Sequence, residues 1–166
     1  MAAIKGRVFK YGDDINTDVI FPGKYTYTVT DPAEIAKHAL EDLDKTFVDK
    51  VQPGDVIVGG YNFGCGSSRE QAASTLKFNK VGAVIAKSFS RLYFRNCLNF
   101  GLPPITAPKA VDALETGDEV EIDLEEGKLK TPKGEFDIPA LPESIRGIID
   151  AGGLIPFTRK RLGIEK

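Results

Sequence analysis

The stretch "PGDVIVGGYNFGCGSSREQAASTLKFNKVGAVIAKSF", residues 53 to 89, decides the fold. It begins with a turn and a short apolar strand that ends at two glycines. A polar loop follows, then a helix that ends near Asn79, and then a second apolar strand from Val81 to Phe89. Strand, loop, helix and strand in this order predict a βαβ unit with a right-handed crossover.

The segments on either side of this unit add further strands and helices. Residues 4 to 12 have strand character, and residues 30 to 43 place apolar side chains at helical spacing behind a proline in the first turn. Residues 118 to 139 alternate polar and apolar side chains around Gly127 and Gly134, which is typical of antiparallel hairpins. The remaining helices are predicted at residues 90 to 100 and 142 to 151, each stopped by a following glycine.

Together these patterns predict an α/β fold with a mixed sheet or barrel-like β core flanked by helices. The length of 166 residues indicates a single compact domain over residues 1 to 166, with a C-terminal tail from about residue 159. The hydrophobic fraction of 42% and the charged fraction of 28% are ordinary for a globular protein.

Charge and composition exclude several classes of function. The net charge of -2 disfavours nucleic-acid binding, which needs a basic face, and the basic run at residues 159 to 166 is expected to be a solvated tail or a partner contact. No apolar run approaches the ~20 residues of a membrane span, so no membrane association is expected. Two cysteines do not form a disulfide framework, and we predict a cytoplasmic or otherwise reducing location.

The residues from Gly64 to Glu70 carry the chemistry of the loop. Glycines allow the backbone to approach a ligand closely, and the start of the following helix offers unpaired N–H groups to an anion. Arg69, expected in the first helical turn, can bind a carboxylate through two hydrogen bonds. The competing interpretation is structural, because Ser67 and Glu70 have the spacing of a capping box.

Other kinds of site fit these residues less well. The loop lacks the lysine of a P-loop and the G-x-S-x-G pattern of a nucleophile elbow. Cys65 has no paired base nearby, and Cys65 and Cys97 are too few to hold an iron–sulfur cluster or a structural zinc ion. The single histidine, His38, is expected at the surface or at a helix end.

Three ordered motifs, "GDDINTDVIFP", "NFGCGSSREQA" and "AKSFSRLYFRNCLNFGLP", resemble the small subunits of the isopropylmalate isomerase and homoaconitase group. These subunits are the swivelling domain of the aconitase superfamily as a separate chain. The resemblance covers roughly residues 4 to 160 and implies that fold. It also implies a hydro-lyase, active only with a large subunit, that isomerises 2- and 3-hydroxy diacids by dehydration and rehydration.

The resemblance assigns roles to three residues of the loop. It implies that Ser67 is the catalytic base and that Ser68 and Arg69 bind a substrate carboxylate. It places a 4Fe–4S cluster, its cysteine ligands and a catalytic histidine on the large subunit, so that this chain binds no cofactor. The expected partners are therefore that large subunit, in a hetero-oligomer, and a small diacid substrate.

The substrate depends, by the same resemblance, on a specificity loop formed by Lys24, Tyr25, Thr26, Tyr27 and Thr28. The loop has no arginine, which disfavours a distal carboxylate, while its threonines and second tyrosine depart from the usual apolar residues. We therefore expect 3-isopropylmalate dehydratase of leucine biosynthesis, with homoaconitase or a dehydratase of dimethylmalate or citramalate type as alternatives. A non-catalytic anion-binding module and an assembly subunit remain alternatives from other classes.

Further polar residues receive weaker assignments. Lys24 and Gln71 are expected to face solvent, although either could tune substrate choice. Thr17 and Asp18 are expected to shape their loop through Asx-type bonds. Arg91 and Arg95 lie four apart on one predicted helix, where they indicate either a salt-bridged face or a contact with a partner or substrate.

Overall fold

The computed structural model describes residues 2 to 164. Its strands, in chain order, are β1 (Ile4–Lys10), β2 (Val56–Val58), β3 (Ala83–Ala86), β4 (Pro104–Thr106), β5 (Glu119–Asp123), β6 (Lys128–Thr131) and β7 (Gly134–Asp137). Its helices are α1 (Thr17–Ile20), α2 (Pro32–Lys37), α3 (Phe47–Lys50), α4 (Gln71–Phe78), α5 (Arg91–Asn99), α6 (Pro108–Ala113), α7 (Glu143–Ala151) and α8 (Leu154–Arg161), with a 3-10 turn at Gly23–Tyr25.

The seven strands form one mixed sheet in the order β4-β3-β2-β1-β5-β6-β7. Strands β1 to β4 are parallel, with Val56 of β2 opposite Val8 of β1 and Ala83 of β3. Strand β5 pairs antiparallel with β1 and continues into two hairpins. The predictions of an α/β fold with a mixed sheet, of the β2-α4-β3 unit and of the hairpins are therefore confirmed.

Helices cover both faces of the parallel strands, so successive side chains enter two different cores. Phe9 and Ile57 pack in a core beneath α1, α2, α4 and α5. Val8 and Val56, one residue earlier on each strand, pack in a second core against α6, β5 and β6. Burial on both faces explains why β2 and β3 are uniformly apolar rather than alternating.

The helix predicted at residues 30 to 43 is shorter than expected. Pro32 occupies its first turn as predicted, but α2 ends at Lys37 and Leu40 adopts a φ of 55°. The backbone turns there because the N–H of Leu40 donates to the carbonyl of Ile20, 2.8 Å away, while the Leu40 side chain is fully buried. Leu43 consequently lies outside the helix and is exposed.

The C-terminal region forms two consecutive helices. The predicted closing helix α7 ends at Gly152, whose φ of 90° is the left-handed conformation of a glycine C-cap. Helix α8 follows and includes residues 159 to 161, which we had placed in a tail. Residues 165 and 166 of that predicted tail lie outside the described residues. Within residues 2 to 164, no helix combines the length and apolar character needed to cross a bilayer.

Candidate functional site

The candidate site lies at the carboxyl ends of β1, β2 and β3. Parallel strands end at the same edge of the sheet, so the loops that follow them, residues 11 to 16, 59 to 70 and 87 to 90, meet there. Such edges are the usual ligand-binding positions of open α/β sheets. The polar residues singled out from the sequence are on the middle loop.

Backbone hydrogen bonds attach the middle loop to the loop after β1. The N–H of Gly64 donates to the carbonyl of Ile15 (2.8 Å), and the N–H of Thr17 donates to the carbonyl of Cys65 (2.9 Å). The Thr17 hydroxyl then donates to the carbonyl of Ser67, also at 2.8 Å. These bonds fix the main chain up to Ser67 independently of its side chain.

The opposite side of the middle loop is attached to the loop after β3. The N–H of Phe63 donates to the carbonyl of Ser88, and the N–H of Ser90 donates to the carbonyl of Phe63, each at 3.0 Å. Gly64 has a φ of 81°, and a Cβ atom there would lie 2.1 Å from the ring of the buried Tyr93. Only glycine therefore allows the loop to pass this closely over α5.

Ser67 and Ser68 are exposed at the end of this loop, and neither caps α4. The helix begins at Gln71, and its N-cap position, Glu70, is already helical (φ -61°, ψ -36°) without a side-chain cap bond. The predicted capping box is therefore wrong, because the carbonyl of Ser67 is held by Thr17 four residues before the helix begins. Arg69 likewise precedes the helix instead of lying in its first turn.

Arg69 crosses from the middle loop to α1, where its Nη1 forms an ion pair with Oδ1 of Asp18. The Arg69 side chain is largely buried, with 20% exposed, while 54% of the Asp18 side chain is exposed. A Cβ atom at Gly23 would lie 2.5 Å from Arg69 Nη1, so the guanidinium packs directly on the start of the 3-10 turn. One face of the guanidinium group is therefore covered by protein while its carboxylate partner is accessible to solvent.

Asp18 is positioned by an Asx-type hydrogen bond, as predicted from the sequence. Its N–H donates to Oδ1 of Asn16 at 2.8 Å, which is an Asx-type bond and caps α1. The sequence did not indicate that Asn16 supplies the oxygen or that the Asp18 carboxylate meets Arg69. The two charged residues are 51 positions apart, and no local pattern connects them.

The predicted specificity loop lies beside Arg69 and Gln71. The Nε2 of Gln71 donates to the carbonyl of Thr26 at 3.3 Å, so Gln71 is partly buried and our expectation that it faces solvent is wrong. Lys24 is exposed, as expected, and its ammonium lies 5.1 Å from the centre of the Tyr25 ring. Tyr27 is 94% exposed and Thr28 is also exposed.

Three other residues singled out from the sequence, Arg91, Arg95 and His38, differ in part from their predicted environments. Arg91 and Arg95 are exposed, and neither takes part in the ion pairs formed among residues 2 to 164, so a salt-bridged face is not supported. His38 follows α2 as expected for a helix end, but it is partly buried against Tyr25.

The cysteines do not form a metal site. Cys65 is partly buried in the middle loop, while Cys97 is fully buried in α5, where burial raises the pKa of its thiol to about 12. No cluster of three or more histidine, cysteine, aspartate or glutamate side chains that could hold a metal occurs in the described part of the chain. The side chains present therefore do not fit the ligand set of a 4Fe–4S cluster.

Residues 13 to 110 match the family model described as the aconitase C-terminal domain. This range includes the middle loop, the specificity loop and helix α1, which carries Asp18. The chain belongs to the aconitase C-terminal domain family.

Two relatives and one solved structure show which members of this family the chain is similar to. The 3-isopropylmalate dehydratase small subunit of Caldicellulosiruptor saccharolyticus is 53% identical over 160 residues, covering 95% of this chain and 92% of the relative. The 2,3-dimethylmalate dehydratase small subunit of Eubacterium barkeri is 48% identical over 92% of this chain and 94% of its own length. The crystal structure of 3-isopropylmalate dehydratase from Methanocaldococcus jannaschii superposes with a TM-score of 0.89 at 46% identity, covering 98% and 96% of the two chains.

These matches confirm the resemblance inferred from the three sequence motifs. The names of the two relatives describe them as small subunits, which implies a larger partner subunit for those proteins.

Proposed function

We propose that this chain is the small subunit of a hydro-lyase that isomerises 2- and 3-hydroxy diacids by dehydration and rehydration, with 3-isopropylmalate as the substrate. The observation that carries the proposal is the position of Arg69, held against Gly23 beside two exposed serines. A planar guanidinium fixed in this way suits a carboxylate, and its present partner, Asp18, is itself a carboxylate at the solvent edge.

In this proposal Arg69 and Ser68 bind one carboxylate of the diacid. The carboxylate approaches from the exposed side and shares or replaces the contact that Arg69 makes with Asp18. The positive charge then stabilises the negative charge that develops on the carboxylate when the neighbouring carbon loses a proton.

Ser67 Oγ accepts that proton as the general base. A serine hydroxyl is a weak base in water, so it requires a positively charged neighbourhood. Arg69, two residues away in the chain, supplies this environment. The bond from Thr17 holds the Ser67 carbonyl, which leaves the hydroxyl available for the reaction.

The remaining catalytic groups belong, in this proposal, to a large subunit that forms a hetero-oligomer with this chain in the cytoplasm. The two cysteines of this chain do not fit the ligands of a 4Fe–4S cluster, so we assign the cluster to the large subunit. When bound there, the cluster supplies Lewis-acid chemistry toward the leaving hydroxide.

The specificity loop favours an apolar third substituent. Its cation, Lys24, is exposed above the Tyr25 ring, so the loop presents no buried charge for a distal carboxylate such as that of homocitrate-type substrates. A methyl-substituted malate is the second candidate substrate, favoured by the 48% identity to the Eubacterium barkeri subunit.

Reconstitution with the large subunit tests the proposal. Turnover should require both chains and should be fastest with 3-isopropylmalate in a panel that includes methylated malates and homocitrate. Ser67→Ala should reduce kcat about 100- to 10,000-fold, the range for loss of a general base. Ser144→Ala, an exposed serine on α7, is the matched control and should retain full activity. Full turnover by the Ser67→Ala complex would overturn the assignment of the base.

A further inference from the structure

A cluster of three aromatic rings lies behind the specificity loop. The rings of Tyr25 and His38 are stacked, with centroids 3.8 Å apart and an interplanar angle of 22°. Both rings contact Phe21, at centroid distances of 6.1 and 6.4 Å. Phe21 is fully buried, so this contact connects the loop to the core beneath α4.

Glu41 joins the two stacked side chains through one oxygen atom. The Tyr25 hydroxyl donates to Glu41 Oε1 at 3.3 Å, and Nδ1 of His38 lies 3.3 Å from the same oxygen. The second carboxylate oxygen of Glu41 is buried without a hydrogen-bond partner among residues 2 to 164. Burial of this one oxygen is costly, and the contacts of the other oxygen with Tyr25 and His38 offset that cost.

His38 is in turn connected to the candidate site through α2 and α4. It follows α2, which is bonded to α4 through the Thr75 hydroxyl to the carbonyl of Ile35 (2.7 Å) and the Asn79 amide to the carbonyl of Ala36 (2.9 Å). Helix α4 begins two residues after Arg69. The stack therefore connects Tyr25, through α2, to the helix that directly follows the proposed catalytic residues.

The next residues of the loop depend on this anchor. Gln71, the first residue of α4, holds the carbonyl of Thr26, whose hydroxyl is buried without a partner in the described chain. Tyr27 follows and projects into solvent. The loop is thus fixed at Tyr25 and Thr26, while the Tyr27 side chain is exposed to solvent.

We propose that His38 is a positioning residue for substrate specificity. By stacking on Tyr25 and sharing Glu41 with it, His38 fixes residues 24 to 28 relative to Arg69 and so sets the space available to the third substituent of the diacid. This role rests on the proposed function, because the loop can select a substituent only if the diacid binds at Arg69.

Hydrogen exchange on the full chain tests the anchoring role without the large subunit. The amides of Thr26, Thr28 and Val29 donate within the loop, to the carbonyls of Gly23 and Tyr25. His38→Ala should accelerate their exchange about fivefold, which corresponds to the loss of one stacked aromatic pair. Lys37→Ala, at an exposed neighbouring position where the lysine pairs with Glu34, is the matched control and should leave these rates unchanged. Equal rates in His38→Ala and the wild-type chain would overturn the proposal.

Kinetics of the reconstituted complex test the role in specificity. His38→Ala should change the ratio of kcat/KM between isopropyl- and methyl-substituted malates about fivefold, mainly through KM, since loss of the stacking energy displaces the loop and not the base. His38→Phe keeps the stack without the contact to Glu41 and should recover most of the original ratio. An unchanged ratio, or an equal loss for every substrate together with a lower Tm, would overturn the proposal.

The two tests also separate the two proposals. A wild-type complex that converts none of the malates would refute the proposed reaction. Faster loop exchange in His38→Ala would in that case still support the anchoring of residues 24 to 28, because that measurement needs no substrate.

Discussion

The parallel half of the sheet has long connections that carry the candidate site, whereas the antiparallel half has short turns that do not. Strands β2 and β3 are buried along their whole length, and the long connections that follow β1 and β2 carry Asp18, on α1, and residues 67 to 69. In the antiparallel half, β5 alternates between buried residues and partly or fully exposed ones, and short turns connect β5, β6 and β7. A fully buried strand provides a rigid base for a long loop, whereas the hairpins stabilise the fold and offer few positions for a site.

A glycine substitution in each half provides the strongest test of this difference. Gly64→Ala should destabilise the chain by about 3 to 4 kcal/mol, because it combines an unfavourable φ with overlap on the Tyr93 ring. Gly117→Ala, before β5, has a similar φ of 94° but no atom within 4 Å, and should cost only about 1 to 2 kcal/mol. Chemical denaturation measures both values, and equal losses would contradict the close packing of the site loop.

Replacement of the proposed carboxylate-binding residue should have the next largest effect. Arg69→Lys keeps the charge but loses the planar pair of donors, so kcat/KM should fall about 30-fold in the reconstituted complex. Arg159→Lys, at an exposed position of α8, is the control and should change nothing. If Arg69→Lys retained wild-type kcat/KM, bidentate binding by Arg69 would be excluded.

A smaller effect is expected at the partner of Arg69. Asp18→Asn removes the carboxylate that competes with substrate for the guanidinium, so KM should fall about threefold, a size consistent with a partly exposed ion pair. Steady-state kinetics of the reconstituted complex would show it. A higher KM would instead mean that Asp18 holds Arg69 in the conformation that binds substrate.

The smallest effect is expected in the hairpins. Lys128 forms an exposed ion pair with Asp137, and Lys128→Ala should change Tm by less than about 1 °C and leave turnover unaffected. The Lys128 ammonium lowers the pKa of Asp137, so the small contribution of this pair is present near neutral pH and is lost as the pH falls through that lowered pKa. A thermal melt at two pH values measures it, and a shift of several degrees at neutral pH would contradict this view of the hairpins.

The sequence predicted elements wherever a short-range pattern determines them. Alternation and turn glycines located the hairpins, and two apolar runs located β2 and β3 on either side of α4. The capping box at Ser67 failed because a hydroxyl 50 residues away, on Thr17, holds the Ser67 carbonyl. The end of α2 was missed for a similar reason, since the Leu40 N–H donates to the distant carbonyl of Ile20.

In the candidate site, too, features set by short-range patterns were predicted and features set by contacts between distant segments were not. Its position at the end of the middle loop followed from residue types and motif resemblance. The ion pair of Arg69 with Asp18, the bond from Gln71 to Thr26 and the stack of His38 on Tyr25 depend on chain segments brought together by the fold. No periodicity or spacing within one segment encodes such contacts.

The attachment of the middle loop through main-chain atoms has a consequence for how this scaffold can diversify. The middle loop contributes main-chain amides and carbonyls to its bonds with Ile15, Thr17 and Ser88, so the geometry of these bonds does not depend on which side chains stand at positions 67 and 68. Random libraries at those two positions should therefore yield mostly folded variants. New reactivity can therefore be introduced by mutation at these positions without changing the fold of the middle loop.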